Sequence, residues 1–143
     1  YWNSPELTAD SFIGDWMDTD DLGYRDEDGR LWFKARDDDV IITSGYRVGP
    51  AEVEDALLEH EAVVDAAVIG VDDETRGKIV KAFVVPADGY EPSEDLRSDI
   101  QNRVRTDLAK YQYPRELTFL DELPTTTTGK IQRYKLRQEH EAE

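Results

Sequence analysis

No cysteine occurs among the 143 residues, so disulfide frameworks, thiolate nucleophiles and Cys-based metal sites are excluded from the start. Basic residues are few. Lys+Arg 17 against Asp+Glu 33 leaves a formal net charge of −16, which disfavours phosphodiester backbones and anionic bilayers as partners. Nucleic acid and membrane surfaces are therefore not expected. No apolar run approaches the length of a membrane span, and no secretory leader pattern opens the chain. These absences point to a soluble, intracellular protein, cytoplasmic in location. Lysine is scarcer than arginine and the acid is spread along the whole length, as on the solvated surfaces of proteins from a halophile's high-salt interior. Hydrophobic runs alternate with the charge, so disorder is not expected.

The runs that are present define two parts. Ser4-Pro5-Glu6 predicts a helix start, with Ser as cap, Pro at the first position and Glu in the first turn. Trp16–Thr19 and Leu22–Tyr24 predict short strands, and Leu31–Lys34 predicts the return arm of a hairpin around the turn Asp26–Gly29. This opening carries many aromatics and few partners to cover them, as expected of the edge of a larger domain. From Val40 onward the pattern changes. Pro50 predicts a helix start with Val53, Ala56 and Leu57 on one face. Val63–Val71 and Lys78–Val85 predict two strands joined by a polar turn. Ser93 predicts the cap of a helix bearing Leu96, Ile100, Val104 and Leu108 at spacing four. Glu116–Leu120 predicts a further strand, and a frayed helix is expected from Tyr134. Strands and helices mix without strict βαβ alternation, so the predicted fold is α+β: a small mixed sheet flanked by helices, preceded by a β-hairpin.

Four clusters could carry chemistry. In Thr19-Asp20-Asp21-Leu22 a carboxylate beside a strand could accept hydrogen bonds from a sugar diol, or simply end the strand in a turn. Arg36, next to Asp37, Asp38 and Asp39, could hold a ribose or phosphate, or balance local charge. Ser44-Gly45-Tyr46-Arg47-Val48-Gly49-Pro50 is a tight loop opening a helix. Its glycines permit close backbone approach to a ligand and Arg47 offers a fork for phosphate; a plain strand-to-helix connection is the alternative. The fourth, Pro124-Thr125-Thr126-Thr127-Thr128-Gly129-Lys130, is expected to be a flexible, extended, hydroxyl-rich loop. It could swing an ammonium onto an anionic centre, or leave one solvated lysine at the surface. It is not a Walker A loop, since the required glycine five positions before Gly129 is missing.

Taken in order, Thr19–Tyr24, Arg36–Ile41, Ser44–Glu54, Lys81–Val85, Tyr113-Pro114-Arg115 and Leu123–Arg133 resemble the C-terminal domain of the adenylate-forming superfamily. AMP-forming acyl-CoA synthetases of the medium-chain and acetyl-CoA types are the nearest in pattern. The resemblance implies a two-step reaction. A carboxylic acid and ATP give acyl-AMP and pyrophosphate, then coenzyme A displaces AMP. It implies residues 1–37 as the end of a large N-terminal domain and residues 38–143 as a mobile lid, with the hinge at Asp38. Asp21, Arg36 and Arg47 would bind ATP or AMP, and Lys130 would be the adenylation lysine. Gly45, Tyr46, Arg76, Arg105 and Tyr113 would bind coenzyme A. Mg2+ would be held mainly by the N-terminal domain, the lid's chief macromolecular partner. Small-molecule substrates are then the other partners. Oligomeric state is left open, a homo-oligomer included.

Three positions depart from the family pattern: Asp20 and Ala35 stand where glycine is usual, and Thr125 where lysine is usual. Two alternatives accompany the main reading. One is an adenylation domain with another acceptor, of peptide-synthetase or luciferase type. The other is a non-enzymatic module that binds nucleotide or a protein. Without the ATP loop and acyl pocket, the chain alone is expected to be inactive.

Overall fold

The computed structural model describes residues 1–142. The chain forms two compact units, Tyr1–Asp38 and the chain from Asp39 onward.

The first unit is assembled from short local pieces. Helix α1 (Pro5–Asp10) begins where proline's fixed φ and missing N–H cost nothing. The Ser4 side chain makes no cap; instead the Thr8 hydroxyl donates to the Ser4 carbonyl at 2.9 Å. Strands β1 (Phe12–Ile13) and β2 (Trp16–Met17) pair with each other. β3 (Asp21–Arg25) and β4 (Leu31–Arg36) form an antiparallel hairpin. Its turn is closed by Gly29 N–H donating to the Asp26 carbonyl at 3.0 Å. The Trp32 indole donates to Asp26 Oδ2 at 2.7 Å, which with backbone donors holds that carboxyl below its ordinary range. Ala35 is the one buried apolar residue described here, whereas Trp2, Trp16, Leu31 and Phe33 are 98, 81, 78 and 67% exposed. Local hydrogen bonds, not a core, shape this unit.

The second unit is a three-layer sandwich. Strand β5 (Ile41–Thr43) turns tightly into β6 (Tyr46–Val48), and helix α2 (Pro50–Leu58) follows. β7 (Val63–Asp73) and β8 (Gly77–Pro86) form a long antiparallel hairpin. Helix α3 (Glu94–Asp107) starts with Ser93 Oγ accepting from Leu96 N–H at 3.1 Å. β9 (Glu116–Phe119) then adds parallel to β8, and helix α4 (Arg133–Ala142) closes the described chain. The sheet order is β6-β5-β8-β7, with β9 also on β8, which leaves β7 at an edge.

Both faces of the sheet are covered, and the period of two sorts its side chains. Ala66, Val68, Val80, Ala82 and Val84 pack against Val53, Ala56 and Leu57 of α2 and Ile100 and Val104 of α3. Ala67, Ile69, Val71, Ile79 and Phe83 pack against Leu123 and Leu136, with Ile131 alongside. Lys81 shares the second face. It is buried with its ammonium 2.9 Å from His140 Nδ1 and over the Phe83 ring. The fold is thus α+β with a small mixed sheet between helices. One expectation fails: the segment Ser44–Pro50 is not a loop running into a helix but contains β6. Positive φ at both Ser44 (48°) and Gly45 (82°) makes the two-residue turn that reverses the chain.

Candidate functional site

The candidate residues divide between the two units. In the first, Asp21 and Arg36 face each other across β3 and β4. The guanidinium of Arg36 lies 3.8 Å from Asp21 and 3.5 Å from Asp20, donates to Asp38 Oδ1 at 3.0 Å and to the Thr19 carbonyl at 3.3 Å. Its charge is held more firmly than usual, first by the Asp38 hydrogen bond. Asp20, at the family's glycine position, has φ 57°. That left-handed conformation is free for glycine and tolerated by aspartate, so the substitution keeps the turn. The result is a carboxylate–guanidinium pair exposed at a strand end, chemically suited to a polyhydroxyl and phosphate ligand.

At the boundary, adjacent aspartates are held by different partners. Asp38 accepts from Arg36 of the first unit. Asp39 accepts from Arg133 and Arg137 of the second.

Lys130 stands on a hairpin, not on the flexible loop expected from four threonines. Thr125 pairs with Ile131, Gly129 N–H donates to the Thr126 carbonyl at 2.9 Å, and Thr126 N–H donates to the Lys130 carbonyl at 2.8 Å. Thr126 Oγ1 accepts from Lys130 N–H at 3.0 Å and lies 2.9 Å from Thr128 Oγ1. Gly129 supplies φ 84°, the left-handed residue that a three-residue hairpin loop needs. Short-range hydroxyl bonds thus lock what β-propensity alone would extend. The base is anchored by Gln132 N–H to the Pro124 carbonyl at 2.8 Å and by Leu123 and Ile131 in the second core cluster. The Lys130 side chain is exposed, and no carboxylate pairs with it among the described residues.

The five residues expected at coenzyme A fall along one connected surface. The Gly45 turn is tied to Arg76 by Ser44 N–H donating to the Arg76 carbonyl at 3.0 Å. Tyr46 stacks on Tyr111, centroids 4.2 Å apart and 5° from parallel. Two residues on, Tyr113 lies under the guanidinia of Arg105 (5.7 Å) and Arg115 (5.1 Å). Asp73 accepts from the backbone of Arg76 and Thr75 and lies 3.6 Å from the Arg76 guanidinium. These bonds, that of Arg76 first, hold its carboxyl below the usual range, and the charges of Arg76 and Arg115 add to the effect. Sequence reasoning did not single out Tyr111, and it quoted Arg115 only within the motif Tyr113-Pro114-Arg115, not as a site residue. Arg47 is exposed on β6, opposite Ile42 of β5. Among the described residues, no group of three or more His, Asp or Glu is placed to hold a metal ion.

A model of the AMP-binding enzyme C-terminal domain matches residues 52–130. The chain belongs to that family. It is 47% identical over 139 residues to the mitochondrial acyl-coenzyme A synthetase ACSM3 of Rattus norvegicus, covering 96% of this chain and 24% of that protein. It is 48% identical over 137 residues to the acetyl-coenzyme A synthetase of Bacillus subtilis (strain 168), covering 95% of this chain and again 24% of the relative. The chain therefore spans about a quarter of the length of these curated relatives. Among solved structures, the anthranilate CoA ligase AuaEII in complex with anthranoyl-AMP superposes with a TM-score of 0.87 at 41% identity, over 97% of this chain and 27% of that one. The α+β architecture is thus that of the AMP-binding enzyme C-terminal domain, seen in enzymes named as coenzyme A synthetases and a CoA ligase.

Proposed function

We propose that this chain is the C-terminal part of an AMP-forming acyl-CoA synthetase. In the first half-reaction a carboxylate oxygen attacks the α-phosphorus of ATP and the bond to pyrophosphate breaks, leaving acyl-AMP. In the second, the sulfur of coenzyme A attacks the acyl carbon, its proton is lost and AMP departs. The observation that carries this reading is Lys130, an exposed ammonium with no carboxylate partner among the described residues, on a bonded hairpin in a chain of charge −16. A cation kept free amid so much acid suits a ligand that is itself anionic. The meeting of carboxylate and α-phosphate is such a target.

The fold supports a division of labour between the two half-reactions. The Lys130 hairpin is rooted in the core layer on one face of the sheet, while Tyr113, next to Arg105 and Arg115, packs against the layer on the other. One active site cannot meet both at once, so the second unit would rotate between half-reactions, with Asp38 as the hinge. Asp21 and Arg36 would hold the ribose of ATP, and Arg47 would meet its phosphates. Gly45, Tyr46, Arg76, Arg105 and Tyr113 would contact coenzyme A: arginines for its phosphates, aromatic rings for adenine. Mg2+, which neutralises phosphate charge in such chemistry, would be held by a larger N-terminal domain. The bare apolar surface of Tyr1–Asp38 would rest against that domain. Acidic composition favours a cytoplasmic, high-salt setting.

The test uses the full-length polypeptide and separates the half-reactions. Lys130→Ala should lower ATP–pyrophosphate exchange by about 100-fold or more while supplied acyl-AMP is still converted to thioester. Equal loss of both would overturn the role of Lys130. AMP release with acids from acetate to octanoate and benzoate identifies the acyl group.

A further inference from the structure

Arg133, the first residue of α4, directly follows the bond that closes the Lys130 hairpin. Its side chain is 20% exposed and grips two carboxylates. Nη2 donates to both oxygens of Glu54, at 2.8 and 2.7 Å, and Nη1 donates to Asp39 Oδ2 at 3.3 Å. Glu54 belongs to α2, on the opposite face of the sheet, and its Oε1 also accepts Val68 N–H at 2.9 Å on the open edge of β7. Asp39 is the first residue of the second unit, and its other oxygen accepts from Arg137. Two guanidinia and two carboxylates thus neutralise one another over the sheet edge. They join the root of the hairpin, both helix layers and the point where the chain enters the unit.

Such a network is a poor source of stability, because desolvation offsets most of the attraction. Its geometry is what a mobile unit needs. Lys130 lies three residues before Arg133, so its hairpin reaches out by roughly 10 Å at strand rise. A tilt of about 6° at the root would displace the tip by about 1 Å, enough to cost about 100-fold in a positioned reaction. The geometry points to Arg133 as a positioning residue for Lys130: its fork fixes the hairpin root to Asp39, so that rotation at Asp38 reaches the ammonium without slack. The inference rests on the reading of Lys130 and Asp38 given above. Lysine could supply the charge, but its single nitrogen could not hold Glu54 and Asp39 separately as Nη2 and Nη1 do.

The experiment uses the full-length polypeptide with Arg133→Lys and Glu54→Gln, measuring both half-reactions and the melting temperature of each. Arg133→Lys should lower kcat for acyl-AMP formation by about 10- to 100-fold. KM for ATP and acid, and thioester formation from supplied acyl-AMP, should stay within about threefold. Glu54→Gln, which keeps the Val68 bond, should show the same split more weakly. Equal loss in both half-reactions, or loss that simply tracks melting temperature, would overturn the proposal and leave Arg133 a clamp of the fold. If Arg133→Lys does not fold, Glu54→Gln decides: the split supports the proposal and its absence overturns it. Wild type and Lys130→Ala run alongside. If these fail to separate the half-reactions, the reading of Lys130 falls and the positioning role with it. If they separate them and the Arg133 and Glu54 variants do not, the positioning role alone is wrong.

Discussion

Lys130 and Asp73 show how differently single residues are held for use. Lys130 has no carboxylate partner among the described residues, and the nearby hydroxyls bond to one another and to its backbone N–H. Asp73 is the reverse: its carboxylate is consumed by the turn that carries Arg76, accepting at 3.0 and 2.8 Å from Thr75 and Arg76 N–H. Because these bonds favour the charged form, the folded carboxyl titrates below its ordinary range. Its contribution to stability is then complete above that range and is lost as pH falls through the lower, folded value. Asp73→Ala should therefore lower the melting temperature at pH 7, and the gap from wild type should narrow as the pH is taken below about 4. A gap independent of pH would show that the charge of Asp73 does not hold the turn.

Elements differ in how strongly they are fixed. β7 and β8 pair along nearly their whole length with both faces covered, and α3 is seated by Ile100 and Val104, both fully buried. Ile100→Ala should destabilise by about 2–5 kcal/mol, measured by urea titration, because the space left between α3 and the sheet cannot close fully. Leu58→Ala, on the exposed side of α2 at 44% exposure, should change stability by no more than about 0.5 kcal/mol. Similar values for the two would mean that the layers are not packed as described. The long elements were legible because their patterns are long. Val63–Val71, the spacing-four stripe of α3 and its Ser93 cap all stand where the sequence places them. β6 was missed because three residues carry no period, and its pairing depends on a two-residue turn with φ positive at Ser44, a residue that does not announce it.

For the whole molecule, charge is the dominant setting. With −16 spread over the surface, self-repulsion opposes the compact state, and added salt weakens it by shortening the screening length from about 10 Å at 0.1 M to about 3 Å at 1 M. Calorimetry across that range should show the melting temperature rising. A flat or falling curve would mean that surface pairs such as Arg36–Asp38 outweigh the net charge. The same acidity gives the uncovered cations their meaning. Lys130 on its hairpin, and Arg105 and Arg115 against the Tyr113 ring, stay exposed in a chain with Asp+Glu 33 against Lys+Arg 17.

A resemblance carried by motif order was enough to place the chain in its family, and local periodicity to locate its main helices and strands. All of these depend on residues near one another in sequence. Three things depended on tertiary structure. Threonine propensity pointed to a flexible loop, and only the hydroxyl and backbone bonds of the folded segment make it a hairpin. The aromatic stack joins Tyr46 to Tyr111 across 65 positions, which no local pattern reports. The Arg133 clasp spans 79 positions to Glu54 and 94 to Asp39. Its one sequence trace is a carboxylate beside Val53 and near Leu57 on the buried side of α2. A buried charge cannot be told from a solvated one until its partners are in place, because their mutual neutralisation is a property of the packed interior alone.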